Sequence, residues 1–120
     1  HAIEMRINAE DPENGFRPDP GEITAFEPPP ETFGGARVRW DSAVRVGTRI
    51  PPHYDSMIGK LIVHAGDRAG AIDAAIRALG ALRIEGIHTT RELHASILRH
   101  ERFASGDYDV DFLGASGLLG

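Results

Sequence analysis

The sequence has 120 residues and no cysteine. That excludes disulfide staples and thiolate metal sites, and it accords with a reducing, cytoplasmic compartment. No apolar run approaches the roughly 20 residues needed to span a membrane as a helix, and no secretory signal pattern is present. Basic residues form no block or stripe against the net charge of −5, so neither nucleic acid nor an anionic membrane surface is expected as a partner. Lysine is almost missing: twelve of the 13 basic residues are arginine, and Lys60 is the only lysine. The generic nucleotide signatures are missing too, with neither GxxxxGK[ST] nor GxGxxG anywhere in the chain. The six histidines (His1, His53, His64, His88, His94 and His100) contain no HExxH, so no zinc site is expected. No GxSxG elbow supports a serine hydrolase.

What is present is organised by period. Ile3, Met5 and Ile7 alternate with Glu4, Arg6 and Asn8, the period of two that marks a half-buried strand. Turn chemistry follows at Asp11-Pro12, Asn14-Gly15 and Pro18 to Gly21. A short strand is expected over 22–27, ended by Pro28-Pro29-Pro30, which cannot donate to a ladder. Alternation resumes over 36–46 and predicts a second long strand. Lys60 to His64 reads as a buried strand. The period then becomes helical, with Ile72, Ile76, Leu79 and Leu82 on one stripe and Asp67 placed to cap it. Ile84 to His88 is a short strand or turn. Thr89-Thr90-Arg91-Glu92 matches a capping box and opens a second helix, with Leu93, Ile97, Leu98 and Phe103 inward and Gly106 at its end. A last strand is expected over Tyr108–Leu113, with Val110 and Phe112 on one face, and residues 114–120 read as a loose tail.

Early strands and late helices predict an α+β domain over 1–113, a mostly antiparallel sheet with two helices packed on it. The chain opens at His1 already inside a strand pattern, so a segment of a longer polypeptide is expected. Arg6, Arg39 and the Tyr54-Asp55 pair are the remaining candidates for chemistry. On strand chemistry alone, Arg6 and Arg39 read as solvated arginines with cross-strand partners, and Tyr54-Asp55 as a turn.

Longer blocks alter that weighting. His1 to Pro12 (H-A-I-E-M-R-I-N-A-E-D-P), Pro18 to Thr24 (P-D-P-G-E-I-T), Val38 to Ser42 (V-R-W-D-S) and Pro51 to Ile62 (P-P-H-Y-D-S-M-I-G-K-L-I) occur in order. So does Ile84 to Thr90 (I-E-G-I-H-T-T), with Thr90 where asparagine is usual. Together they resemble the C-terminal domain of biotin carboxylases. The resemblance implies an ATP-grasp enzyme that uses MgATP to activate bicarbonate and carboxylates biotin held on a carrier domain. The carboxyl then passes, through a carboxyltransferase, to acetyl-CoA, propionyl-CoA, pyruvate or urea. It implies an N-terminal domain and a central ATP-grasp domain as intramolecular partners, and a homodimer of the complete enzyme.

By the same resemblance, Arg6 takes the place of an active-site arginine. A permanently charged, forked donor can hold the oxyanion that forms on the biotin ureido group, or bicarbonate or phosphate. Asp55 matches a carboxylate that supports this arginine, and Val110 an apolar contact to the adenine ring. Arg39 matches a residue of the dimer interface, where Ala36 replaces an aromatic neighbour. ATP, Mg²⁺ and biotin would be bound mainly by other domains. Two other readings compete with this one: a non-catalytic module for dimer and inter-domain contacts, and an unrelated α+β binding domain.

Overall fold

The alternating segment at the start of the chain forms the first strand of a computed structural model that describes residues 1–51 and 56–119. The strands are β1 (Ala2–Asn8), β2 (Glu10–Asp11), β3 (Arg17–Pro18), β4 (Gly21–Glu22), β5 (Ala25–Glu27), β6 (Thr32–Phe33), β7 (Ala36–Asp41), β8 (Arg49–Ile50), β9 (Met57–His64) and β10 (Arg83–Glu85). The helices are α1 (Arg68–Ala81), α2 (Arg91–Arg99), α3 (Glu101–Ser105) and α4 (Phe112–Ser116). The main sheet has the order β1-β9-β7-β6, and every pairing in it is antiparallel. Three two-stranded pairs, β2-β3, β4-β8 and β5-β10, surround it. The α+β architecture expected from the pattern is therefore present.

One face of the sheet is apolar. Ile3, Met5 and Ile7 of β1, Leu61 and Val63 of β9 and Val38 of β7 are buried there, and α1 packs across β1, β9 and β7. Alanines at 71, 74, 75 and 78 bring the helix backbone close to the sheet, and Ile72 and Leu79 fill the remaining space. Each large aliphatic side chain buried this way stabilises the fold by roughly 1.5–3 kcal/mol. Asp67 caps α1 as expected, its Oδ1 accepting from the Gly70 N–H at 2.7 Å. Gly59 of β9 lies under Trp40, and a Cβ at this position would overlap the indole ring. Gly86 has φ +100, and a Cβ there would overlap the carbonyl of Glu22. Only glycine serves at that position, where backbone meets backbone.

Six expectations need correction. The second helix, expected to run on to Gly106, is two helices: His100 is extended between α2 and α3, and its ring accepts from the Arg102 N–H at 3.2 Å. The tail expected over 114–120 begins inside α4, which runs to Ser116. The strand expected over 22–27 is two strands with different partners. The Ile23 N–H donates to the Thr48 carbonyl at 2.9 Å and the Thr24 N–H to that of Glu85 at 2.9 Å, so the chain changes neighbour between them. The strand expected over 36–46 stops at Asp41, because Ser42 turns its hydroxyl onto the Ile58 carbonyl and accepts from the Val44 N–H at 3.1 Å.

The capping box expected from Thr89 and Glu92 does not form. The N-cap is Thr90, whose hydroxyl makes no cap bond; the Thr89 hydroxyl accepts from the Arg91 N–H at 3.3 Å, and the Glu92 carboxylate accepts from the Arg91 guanidinium at 2.6 Å. Finally, no strand spans Tyr108–Leu113. Asp109 accepts from the Asp111 N–H at 3.0 Å through its side chain and from the Phe112 N–H at 3.1 Å through its carbonyl. This turn leads into α4, so Val110 and Phe112 do not share a face: Val110 is fully exposed and Phe112 is buried.

Candidate functional site

β1 pairs with β9, and β9 with β7, so the outward-facing residues of the three strands line up in rows. Ala2, His64 and Arg37 form one row, Glu4, Ile62 and Arg39 the next, and Arg6, Lys60 and Asp41 the third. Four basic side chains, Arg6, Lys60, Arg37 and Arg39, share this face with two carboxylates, Glu4 and Asp41. The four cations against two carboxylates give the face a formal charge of +2, where the chain as a whole carries −5, a balance that favours anions on this side of the sheet.

Arg6 is exposed and stands directly across from Lys60. Like charges on adjacent strands repel, and among the described residues neither forms an ion pair. Arg39 does: its Nε and Nη2 reach one oxygen of Asp41 at 3.1 and 2.8 Å, both groups well exposed. The described partner of the Arg6 guanidinium is the Met57 sulfur, which accepts from Nε at 3.2 Å. Met57 comes within reach because the β1–β9 register shifts between Ile7 and Asn8, placing it opposite Asn8. Irregularities of this kind re-aim side chains near functional sites.

The backbone beneath Arg6 is held firmly. β1 is the edge strand of the sheet, and its free edge is closed by the start of α2. The Asn8 N–H donates to Oγ1 of Thr90 at 3.0 Å, and the Thr90 N–H donates to the Asn8 carbonyl at 3.1 Å. The Thr90 hydroxyl donates in turn to the Arg6 carbonyl at 3.3 Å, which also accepts from Nε2 of His94 at 2.7 Å. This use of the hydroxyl explains why Thr90 does not cap its own helix. Burial lowers the pKa of His94, although its bond to the Arg6 carbonyl acts the other way; that bond needs the proton on Nε2, since a carbonyl can only accept. Asn8 Nδ2 donates to Glu10 Oε1 at 2.6 Å, as does the Ser56 hydroxyl at 2.8 Å. Asn8 Oδ1 is buried and, among the described residues, without a donor.

A second polar knot ties the loops that flank β1. The His88 ring lies 2.9 Å from Asp19 and 4.0 Å from Asp11. Its hydrogen bond to Asp19 raises its pKa, and the charge of Asp11 adds to the effect. Asp11 is buried, and the Asn14 side-chain amide donating to it at 2.7 Å holds its carboxyl below the ordinary range.

The other expected site residues are scattered. Arg39 is exposed on the outer face, whereas Ala36 is buried in the core of the domain. Val110 is at the opposite end of the chain, fully exposed in the turn before α4. Asp55 lies outside the described residues. An open groove lined by Glu31, Arg37, Arg39, Trp40, Ile62 and His64 runs beside β7 and does not include Arg6. Among the described residues, no three His, Asp or Glu side chains converge to hold a metal ion. Lys60, Thr90 and His94 were not anticipated around Arg6. The alternation of Lys60, Ile62 and His64 along β9 held a signal for the first, but no local pattern could have revealed the other two.

A family model described as the biotin carboxylase C-terminal domain matches residues 4–115. Biotin carboxylase 1 of Bacillus subtilis is 48% identical over 99% of this chain and 26% of that protein. The biotin carboxylase of a Nostoc species is 49% identical over 94% of this chain and 24% of its own length. Among solved structures, the biotin carboxylase domain dimer of Hydrogenobacter thermophilus 2-oxoglutarate carboxylase, in complex with MgADP, ADP and bicarbonate, superposes with a TM-score of 0.89. That match has 36% identity and covers 99% of this chain and 26% of that one. The chain spans about a quarter of the length of the curated relatives it matches.

Proposed function

Because the chain belongs to the biotin carboxylase C-terminal domain family, we propose that it supplies one wall of an active site for ATP- and bicarbonate-dependent carboxylation of carrier-bound biotin. The observation that carries this reading is Arg6. It is an exposed guanidinium on a cationic sheet face, with its backbone fixed from behind by Thr90 and His94. Fixed positive charge aimed at a site of developing negative charge needs no reorganisation when the charge appears. The ureido oxygen of biotin gains charge as its nitrogen is deprotonated, and bicarbonate and phosphate are anions throughout. Arg6 has the forked geometry to bind any of them, and Lys60 adds charge beside it.

The remaining machinery is assigned to other parts of a complete enzyme. MgATP supplies the phosphoryl group that activates bicarbonate, held by an N-terminal and an ATP-grasp domain. A biotin carrier domain and a carboxyltransferase act as partners, with an acyl-CoA, such as acetyl-CoA for fatty acid synthesis, or a 2-oxo acid as the final acceptor. Asp55 is proposed to orient Arg6. Val110 is proposed to contact the adenine ring, its full exposure leaving it free to meet another domain. Arg39 is proposed to lie in a homodimer interface. Ala36 is buried within the domain, so the contact at that end falls on Arg39. A cytoplasmic setting accords with the cysteine-free chain.

The test is the complete enzyme carrying Arg6→Lys. Carboxylation of biotin should fall by about 10²–10³-fold while ATP affinity is retained. Unchanged carboxylation would remove Arg6 from the mechanism.

A further inference from the structure

Val110 is completely exposed, yet the chain on either side of it is tightly anchored. Tyr108, two residues before it, stacks on Phe103 with ring centroids 4.9 Å apart. Phe112, two residues after it, meets Tyr108 at 5.9 Å and the edge of His100 at 5.0 Å. The Arg68 guanidinium covers this cluster from the start of α1, 4.8 Å from the Phe103 ring centre and 5.6 Å from that of Tyr108. It also donates through Nη2 to the Phe103 carbonyl. Arg102 donates from Nε to the Asp107 carbonyl at 3.0 Å and lies over Phe112 at 5.9 Å. The turn between the two anchors is closed by Asp109.

Aromatic pairs and cation–π contacts each contribute on the order of 1 kcal/mol. A solvated tail gains nothing from several of them converging around three residues, and an apolar β-branched side chain at the tip gains nothing from facing water. We propose that Arg68, Tyr108 and Phe112 are positioning residues for the nucleotide base: they hold the 109–111 turn in one shape so that Val110 meets the purine ring already ordered. This rests on the reading of Val110 as an adenine contact. Binding to a preordered side chain avoids the entropy cost of fixing it on association. The clamp therefore acts on affinity for the base and leaves the triphosphate contacts untouched.

The experiment uses the complete enzyme. Dissociation constants for ATP and for inorganic tripolyphosphate are measured for wild type, Val110→Ala, Tyr108→Ala, Arg68→Met and the double variant Tyr108→Ala/Val110→Ala. We expect Val110→Ala and Tyr108→Ala each to weaken ATP roughly three- to tenfold, with tripolyphosphate unchanged. The double variant should be no weaker than Val110→Ala, because one residue acts through the other. Tyr108→Phe should rescue, since it keeps the ring. If Tyr108→Ala fails to fold, Arg68→Met, which keeps an apolar stem over the rings, is read in the same way. Loss of ATP affinity in Val110→Ala but in neither clamp variant overturns the proposal. So does an equal loss for ATP and tripolyphosphate, which would mark a purely structural role. Unchanged ATP affinity in Val110→Ala overturns the adenine reading itself.

Discussion

The carbonyl oxygen of Arg6 accepts a hydrogen bond from Nε2 of His94 at 2.7 Å, across 88 residues of sequence. A side chain proposed for chemistry is thus held by its backbone, from a helix that packs at the edge of β1.

Thr90 shares that task. Removing its hydroxyl leaves the half-buried Asn8 N–H without its acceptor, at a point where Thr90 itself is buried, and takes one donor from the Arg6 carbonyl. Thr90→Val should cost about 1–3 kcal/mol, read from chemical denaturation of the domain, whereas Thr90→Ser should cost clearly less. Equal losses in the two variants would mean that packing of the methyl group, not the hydroxyl, matters there.

Gly59 and Trp40 form a steric pair. Gly59→Ala should destabilise the domain by roughly 1–3 kcal/mol through overpacking. Combining it with Trp40→Leu should recover part of that loss, giving a coupling that a double-mutant cycle can measure. Additive losses would disprove the contact.

The two histidines near β1 should give opposite pH dependences. The pKa of His88 is raised in the fold, first by Asp19 and then by Asp11. Its stabilisation is therefore complete below the ordinary imidazole value of about 6.5 and fades as pH rises through the raised value. Burial lowers the pKa of His94, so its contribution is complete above the ordinary value and is lost as pH falls through the lowered one. Denaturation midpoints measured against pH should lose their alkaline decline in His88→Gln and have a shallower acid decline in His94→Gln. Identical profiles in wild type and variants would refute the assignment.

The isolated 120-residue domain should hydrolyse no ATP, with or without bicarbonate. Its sequence carries neither GxxxxGK[ST] nor GxGxxG, and no group of three metal-ligating side chains lies among its described residues. A steady-state phosphate-release assay suffices, and bicarbonate-stimulated turnover would show that the site is more complete than proposed.

The parts of this fold written in local pattern were readable from sequence. The alternation of Ile3, Met5 and Ile7 gave β1 and its inward face, and the stripe from Ile72 to Leu82 with Asp67 before it gave α1 and its cap. The failures share a cause. Tyr108 to Leu113 alternates apolar and other residues as well as a real strand does, but Asp109 closes a turn there and the aromatic residues find partners on α3. Thr89 and Glu92 fit a capping box, but the helix is entered one residue later, at Thr90, whose hydroxyl goes to a sheet edge 82 residues earlier. Arg6 shows the same division. Its exposure follows from the alternation, while Lys60 beside it and the two residues beneath its backbone depend on how distant segments meet. Local pattern fixes which way a side chain points, and tertiary competition decides what its polar atoms bind.

The closed edge of β1 also sets an order of events in time. Residue 6 becomes a strand residue only when residues 57–64 pair with it, and its carbonyl is satisfied only when residues 90 and 94 arrive. Long loops must close before those contacts form, and such non-local pairing slows folding. On a ribosome, a chain that has emerged only as far as β9 can hold Arg6 in a strand whose outer edge is still open. A truncation before residue 90 should therefore leave that edge free to recruit another strand, and aggregation rather than mere loss of activity should mark the result.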